Sequence, residues 1–318
     1  MNRIRLAFLA LAAALPAATH ADTFGSGANA FTIDFVTIGN LGNANDGMSG
    51  GGLYFSPYGA VTYGFRMGVT EAPQDWITKA TNSGLTDVGA GAWTGDQPAA
   101  NITWYEAAAF VNWLNTSTGH QAAYDLTFSG SWSMNLWTGA EAWQLGGENL
   151  FRHKDAFYFL PSEYEWYKAA FHKNDGATGN YWDYGTAGDS TPTAVGSGTD
   201  MGTAVYQGGV TSPASVFGNG GLSAYGTRGQ SGNVWEWNES AADGSNNVAS
   251  ENRVRRGGGF SDPELALRST SRSALSPTVA GSAIGFRVAS ASVPEPSSAL
   301  LLAGAGVGLL LRWRRTRP

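Results

Sequence analysis

Cysteine is absent from all 318 residues, so thiolate nucleophiles and disulfides are closed to this chain. Histidine is scarce too: His20, His120, His153 and His172 stand far apart, with no His-x-x-x-His or similar spacing. Apart from His20, they are read as isolated surface or loop side chains. Residues 39–52 include Asn43, Asn45 and Asp46, oxygen donors suited to a hard cation. The segment lacks the spacing and closing glutamate of an EF-hand and is read as a turn. Arg256, Arg268, Arg272 and Arg287 invite an anion site. Twelve tryptophans and twelve tyrosines could include a sugar-stacking platform, although most are needed for a core.

The elements that must position these residues are short. Glycine supplies 44 residues and charged residues only 14%, which implies many turns and irregular backbone. With 42% hydrophobic residues the chain is nonetheless long enough for a buried core. No linker or fixed-period repeat divides residues 22–292, which are read as one domain. Residues 31–38 alternate as a strand should, and residues 60–67 do so less cleanly. Two capping boxes announce helices. Thr103 and Glu106 precede an apolar face of Ala107, Phe110, Val111 and Leu114; Ser162 and Glu165 precede Tyr164, Tyr167 and Phe171. Beyond Asn174 the chain is turn-rich to about Tyr225, and late strands are expected at Val254 and at residues 285–288.

Both ends read as targeting segments. Arg3 and Arg5, an apolar run over residues 6–15 and Thr19-His20-Ala21 form a secretory signal with cleavage expected after Ala21. That run is too short for a bilayer core, which needs about 20 residues. At the other end Pro294-Glu295-Pro296 is followed by an uncharged stretch over residues 297–311, then by Arg312, Arg314, Arg315 and Arg317. The order resembles the PEP-CTERM sorting signal of Gram-negative bacteria that make exopolysaccharide. That resemblance implies recognition and processing by an exosortase, with a short transmembrane helix as membrane attachment. The signal holds two of the 19 basic residues and the tail four, while the tail holds one of the 25 acidic residues. Removing both leaves 13 against 24, near −11, which argues against nucleic acid as a partner.

Three motifs occur in order: Asn101 to Ala108 leading into Trp113-Leu114-Asn115; Leu160-Pro161-Ser162-Glu163-Tyr164-Glu165-Trp166; and Ser231-Gly232-Asn233-Val234-Trp235-Glu236-Trp237. Arg255-Arg256-Gly257-Gly258 and Gly285-Phe286-Arg287-Val288 complete the set. Together they resemble the sulfatase-modifying-factor, or formylglycine-generating-enzyme-like, domain over residues 31–289. The resemblance implies an α+β, irregular C-type-lectin-like fold with two main helices, short antiparallel sheets and long Gly-rich loops. It implies a calcium site in which carbonyls of Gly232 and Val234 join the Glu236 carboxylate, although Gly229 stands where a further Asp or Asn ligand is usual. A pairing of Glu236 with a buried arginine such as Arg287 is the other reading of that residue. In that family the late arginines more often fix strands.

The family's oxidase uses a copper-holding cysteine pair shortly after the Arg-Gly-Gly motif, where this chain has residues 260–267 and no cysteine. Cu(I) selects thiolates, and neither Asp262 nor Glu264 replaces one, so no copper is expected. The expectation is therefore an exported protein of the periplasm, outer surface or extracellular matrix. Its role would be a non-catalytic binding or structural module whose ligand is a polysaccharide or an exported protein. The alternative is a metal-dependent oxidase of the formylglycine-generating or non-haem iron type with an altered ligand set.

Overall fold

The computed structural model describes residues 19–47, 57–207 and 210–293. Most of the signal segment, residues 48–52 of the Gly-rich loop, and Pro294, Glu295 and Pro296 with the rest of the tail lie outside them. The described chain opens with the hairpin β1 (Thr19–Phe24) and β2 (Phe31–Ile38), the latter as its alternation requires. Then come β3 (Phe65–Gly68), α1 (Gln74–Thr81) and α2 (Trp104–Ser117). Short strands follow: β4 (Asp125–Phe128), β5 (Trp132–Asn135), β6 (Ala142–Trp143), β7 (Asn149–His153) and β8 (Tyr158–Phe159). After α3 (Glu163–Phe171) and a long irregular stretch with β9 (Thr193–Ala194) and β10 (Thr203–Ala204) stand β11 (Trp235–Ala241), β12 (Arg253–Arg256), β13 (Ser273–Leu275), β14 (Ile284–Phe286) and β15 (Ala289–Ala291).

Two sheets organise the domain. One is antiparallel throughout, in the order β1-β2-β3-β15-β8; the other runs β13-β12-β11-β14, with β11 and β14 parallel. Phe65 pairs with both Ile38 and Ala291, while Thr19 pairs with Val36, so β1 enters and β15 leaves at the same end of the first sheet. Arg66 ties these strands together, donating to Ser290 at 2.8 Å and to Asp22 at 3.1 and 2.6 Å.

Both capping boxes form. Thr103 Oγ1 accepts the Glu106 amide at 3.1 Å while Glu106 Oε2 accepts the Thr103 amide at 2.8 Å. Ser162 and Glu165 repeat the exchange at 3.2 and 2.6 Å. The α2 face Ala107, Phe110, Val111 and Leu114 is buried in the main core, where Phe31 stacks on Trp76, Phe110 and Trp113. On α3, Tyr167 and Phe171 are buried as their spacing requires, but Tyr164 is 39% exposed. This helix is buried around almost its whole circumference, because Glu163 and Glu165 turn inward to arginines.

Three expectations change. The strand expected over residues 60–67 begins only at Phe65. Upstream, Asn45 Oδ1 takes the Ala60 amide at 2.8 Å and Asn43 bonds the Val61 amide and Gly59 carbonyl, so loop amides replace a strand partner. Helix α1 carries no capping box; it follows Pro73 and buries Trp76, Ile77 and Ala80. His153 and His172 are buried rather than on the surface, because their ring nitrogens cap local backbone. His172 also bonds Tyr225 OH at 3.1 Å and the Thr178 carbonyl at 3.2 Å.

Lys168 is fully buried on α3, its Nζ donating to the Asn40 carbonyl at 3.0 Å. Burial pushes its amine down to about 8. The folded chain therefore binds fewer protons than the unfolded chain between about pH 8 and the ordinary lysine range, and this group's penalty is relieved as pH rises through that window. Lys168→Met is expected to gain more in Tm, relative to the parent, at pH 7 than at pH 10. Equal differences at both values would contradict a strained lysine; thermal melts across that range decide.

Candidate functional site

A buried ion cluster lies where β7, α3 and β11 meet. Arg152 of β7 bonds Glu165 at 3.1 and 2.9 Å and Glu239 at 2.9 and 2.7 Å, all three side chains being at most 1% exposed. Its guanidinium also lies 3.7 Å above the Phe159 ring and 4.9 Å from that of Trp143. Tyr63 OH donates to Glu165 at 2.8 Å; Tyr124 OH and Asn149 Nδ2 donate to Glu239 at 2.9 and 2.5 Å. Burial raises both carboxyls, but Arg152 and its hydrogen bonds outweigh that for Glu165, which is held below the usual range, while Glu239 stays above it. One guanidinium thus serves two carboxylates, and neutral donors hold the surplus charge.

A second cluster adjoins it. Glu163 at the start of α3 accepts Arg256 Nε at 2.7 Å and Arg272 Nε at 2.9 Å, so two segments that come late in the chain are fastened to the helix. Above the two clusters opens a cleft of about 660 Å³. Its walls carry Tyr58, Tyr63, Trp143 and Tyr164, its floor Arg152, Glu163 and Arg272, and its rim the exposed Leu145, Glu148 and Asp243. Tyr63 packs edge-on to Trp143 at 5.7 Å and Tyr58 to Tyr164 at 5.5 Å. A concave site with aromatic walls and convergent polar groups is a ligand site in physical terms. Its charged floor groups, Arg152, Glu163 and Arg272, are already paired.

The other candidate residues go elsewhere. Both carboxylate oxygens of Glu236 are held by Arg287, at 2.5 and 2.6 Å, and Trp166 Nε1 adds a bond at 2.7 Å. Gly232 donates its amide to Gly257, and the Val234 amide faces Glu71. The three residues are neighbours, but a guanidinium occupies the carboxylate that a calcium ion would need, so this donor set does not suit the ion. Asp262 accepts Trp235 Nε1 at 2.6 Å and the Gly259 amide at 2.9 Å, and Glu264 is paired with Arg268 at 2.5 Å. The four late arginines thus all pair with carboxylates. No three His, Asp or Glu side chains gather into a metal-ligating group among the described residues.

Sequence reasoning passed over Arg152, Tyr63, Trp143 and Asn149. A signal existed for one: an arginine directly after the apolar pair Leu150-Phe151 must find carboxylates once buried.

Calcium gives a direct check on Glu236. A site filled to a hundred times its dissociation constant would add about 2.7 kcal/mol to stability. Thermal melts in about 1 mM calcium or in chelator, roughly that excess over a site with a dissociation constant of about 10 μM, are expected to coincide. A rise of several degrees would show that calcium displaces Arg287 or binds elsewhere.

Comparison with known proteins agrees with this geometry. The model of the sulfatase-modifying factor enzyme 1-like domain matches residues 61–292, and that of the PEP-CTERM protein-sorting motif matches residues 292–315. No curated protein matches the chain. Among solved structures, Treponema denticola variable protein 1 is similar with a TM-score of 0.56 at 20% identity, covering 86% of this chain and 99% of its own. CarF gives 0.58 at 20%, covering 82% and 99%. PvdO from Pseudomonas aeruginosa gives 0.54 at 16%, covering 88% and 100%. At these identities the likeness shows the fold. With its family model spanning most of the chain, this protein belongs to the sulfatase-modifying factor enzyme 1-like family and carries a C-terminal PEP-CTERM sorting motif, a signal for export and membrane-associated sorting by an exosortase.

Proposed function

We propose that the domain is a non-catalytic binding module of the cell surface, whose cleft takes a polysaccharide of the surrounding matrix. The observation that carries this reading is the pairing of aromatic walls with a floor of satisfied ion pairs: Tyr164 is exposed and Tyr58 and Tyr63 are half-buried along the cleft, backed by the buried Trp143, while Arg152, Glu163 and Arg272 are committed to one another or to buried partners. Sugars present apolar ring faces and hydroxyl edges, and such a wall can match both. The cysteine-free sequence supplies no thiolate for the family's oxidation, and Asp262 and Glu264, in the stretch that would hold the pair, are bonded to neighbours. The sorting motif supports the location, because an exported protein bound for the surface meets matrix polymer there.

Tyr164 is the exposed wall, so its removal leaves the core intact. Purified full-length protein in detergent is expected to bind at least one polysaccharide of a panel, and Tyr164→Ala is expected to weaken that binding by about 1 kcal/mol, roughly fivefold. Absence of binding across the panel would overturn the reading. Stoichiometric iron or copper in protein purified without chelators would favour an oxidase instead.

A further inference from the structure

The alternation of β2 buries Ile33 and Phe35 and turns Thr32 and Asp34 outward. Asp34 thereby starts a row that runs across three segments. Its carbonyl accepts the Val69 amide at 2.8 Å, and the Val69 carbonyl accepts the Arg228 amide at 2.7 Å. Arg287 donates to the Arg228 carbonyl at 2.7 Å, so the buried pair with Glu236 also sets this edge. Along the row opens a second cavity of about 230 Å³, which shares no lining residue with the cleft. Its walls include Trp76, fixed by stacking on Phe31 at 5.7 Å, and Phe217, which is 58% exposed.

Two groups of opposite charge line this cavity without an ionic partner. The Asp34 carboxylate makes no hydrogen bond or ion pair among the described residues; Arg228 gives Nη1 to the Gly220 carbonyl and meets no carboxylate there. Burial holds the Arg228 guanidinium below its ordinary range, a cost that an anion beside it would relieve. Hydrogen-bonded segments lie about 4.8 Å apart, so the Asp34 and Arg228 backbones, two steps apart, are separated by about 10 Å with Val69 between them. An α-amino acid with its ammonium and carboxylate roughly 3 Å apart, held at each end by a charge-assisted bond of about 2.8 Å, spans about 9 Å. The cavity is also too small for drug-sized ligands, which fill about 300–1,000 Å³. A purely anionic ligand would be repelled by Asp34 and a purely cationic one by Arg228. A zwitterion avoids both penalties.

We propose that this cavity binds a free α-amino acid with an apolar side chain: Asp34 takes the ammonium, Arg228 the carboxylate, and the side chain lies between Trp76 and Phe217. The site is independent of the polysaccharide reading of the cleft.

Titration calorimetry of the full-length protein in detergent, with L-phenylalanine as the probe, tests this. N-acetyl-L-phenylalanine lacks the ammonium and phenethylamine the carboxylate; each is expected to bind about tenfold more weakly or worse. Asp34→Asn, at an exposed position, is expected to weaken L-phenylalanine by a similar factor and to leave N-acetyl-L-phenylalanine unchanged. A fall for both compounds would mark a structural role for Asp34 and contradict the ammonium contact. Phe217→Ala is expected to weaken all three compounds. No binding of L-phenylalanine at about 10 mM, or equal binding of the three compounds, would overturn the proposal. So would glucuronate binding that Asp34→Asn strengthens, which would give the cavity to an acidic sugar.

Discussion

Buried arginine is the constraint on which this domain depends. Among the described residues, Arg66, Arg152, Arg253, Arg256 and Arg287 are at most 2% exposed. A guanidinium cannot shed its charge, so each must meet carboxylates, carbonyls or aromatic faces wherever the chain places it. Arg152 meets Glu165 and Glu239, Arg256 meets Glu163, and Arg287 meets Glu236. Arg253 has no carboxylate; it lies 3.9 Å from the Phe151 ring and 4.5 Å from that of Trp104, and burial pulls its group down to about 10. Such pairs contribute little net stability compared with a well-packed apolar core, but breaking one leaves a stranded charge. They therefore fix which strand meets which helix in a fold whose strands are too short to do so by themselves.

The cleft follows from that arrangement. Glu163 and Glu165 stand in the first turn of α3, so one helix end gathers Arg152, Arg256 and Arg272 from three separate segments. The aromatic side chains that cover this polar layer cannot close over it completely, and the gap between Tyr63, Trp143 and Tyr164 is the cleft. The loops around it are equally committed. Gly232 has φ +94°, and a Cβ there would lie 2.3 Å from the Val205 carbonyl oxygen, so this turn admits glycine alone.

What was legible in the sequence was local or motif-bound. The capping boxes at Thr103 and Ser162 act over three residues, and both helices start where they indicate. The Glu236 to Arg287 pair was foreseeable because a glutamate between two tryptophans and an arginine in an apolar run, which the structure places between β14 and β15, each demand a partner. The cleft was not legible, since Arg152 finds Glu239 87 positions away and Tyr63 finds Glu165 across 102. The burial of His172 was hidden for the same reason: Tyr225, which bonds it, comes 53 residues later. Residues 60–64 alternate like a strand, yet Asn43 and Asn45 take their backbone groups, a competition that periodicity does not reveal.

The central claim is that the Arg152 cluster holds the cleft floor closed and chemically committed. A double-mutant cycle with Arg152→Met and Glu239→Gln, read by urea unfolding at pH 7 and pH 5, tests it most directly. Arg152→Met alone is expected to cost about 3–5 kcal/mol at pH 7, because it strands two carboxylates, with a coupling of about 2 kcal/mol or more to Glu239. In the parent, the depressed Glu165 contributes stability that is lost as pH falls; in the variant, carboxyls raised by burial regain stability by protonation. The deficit should therefore narrow at pH 5. A cost below about 1 kcal/mol, with no coupling and no change with pH, would contradict the account.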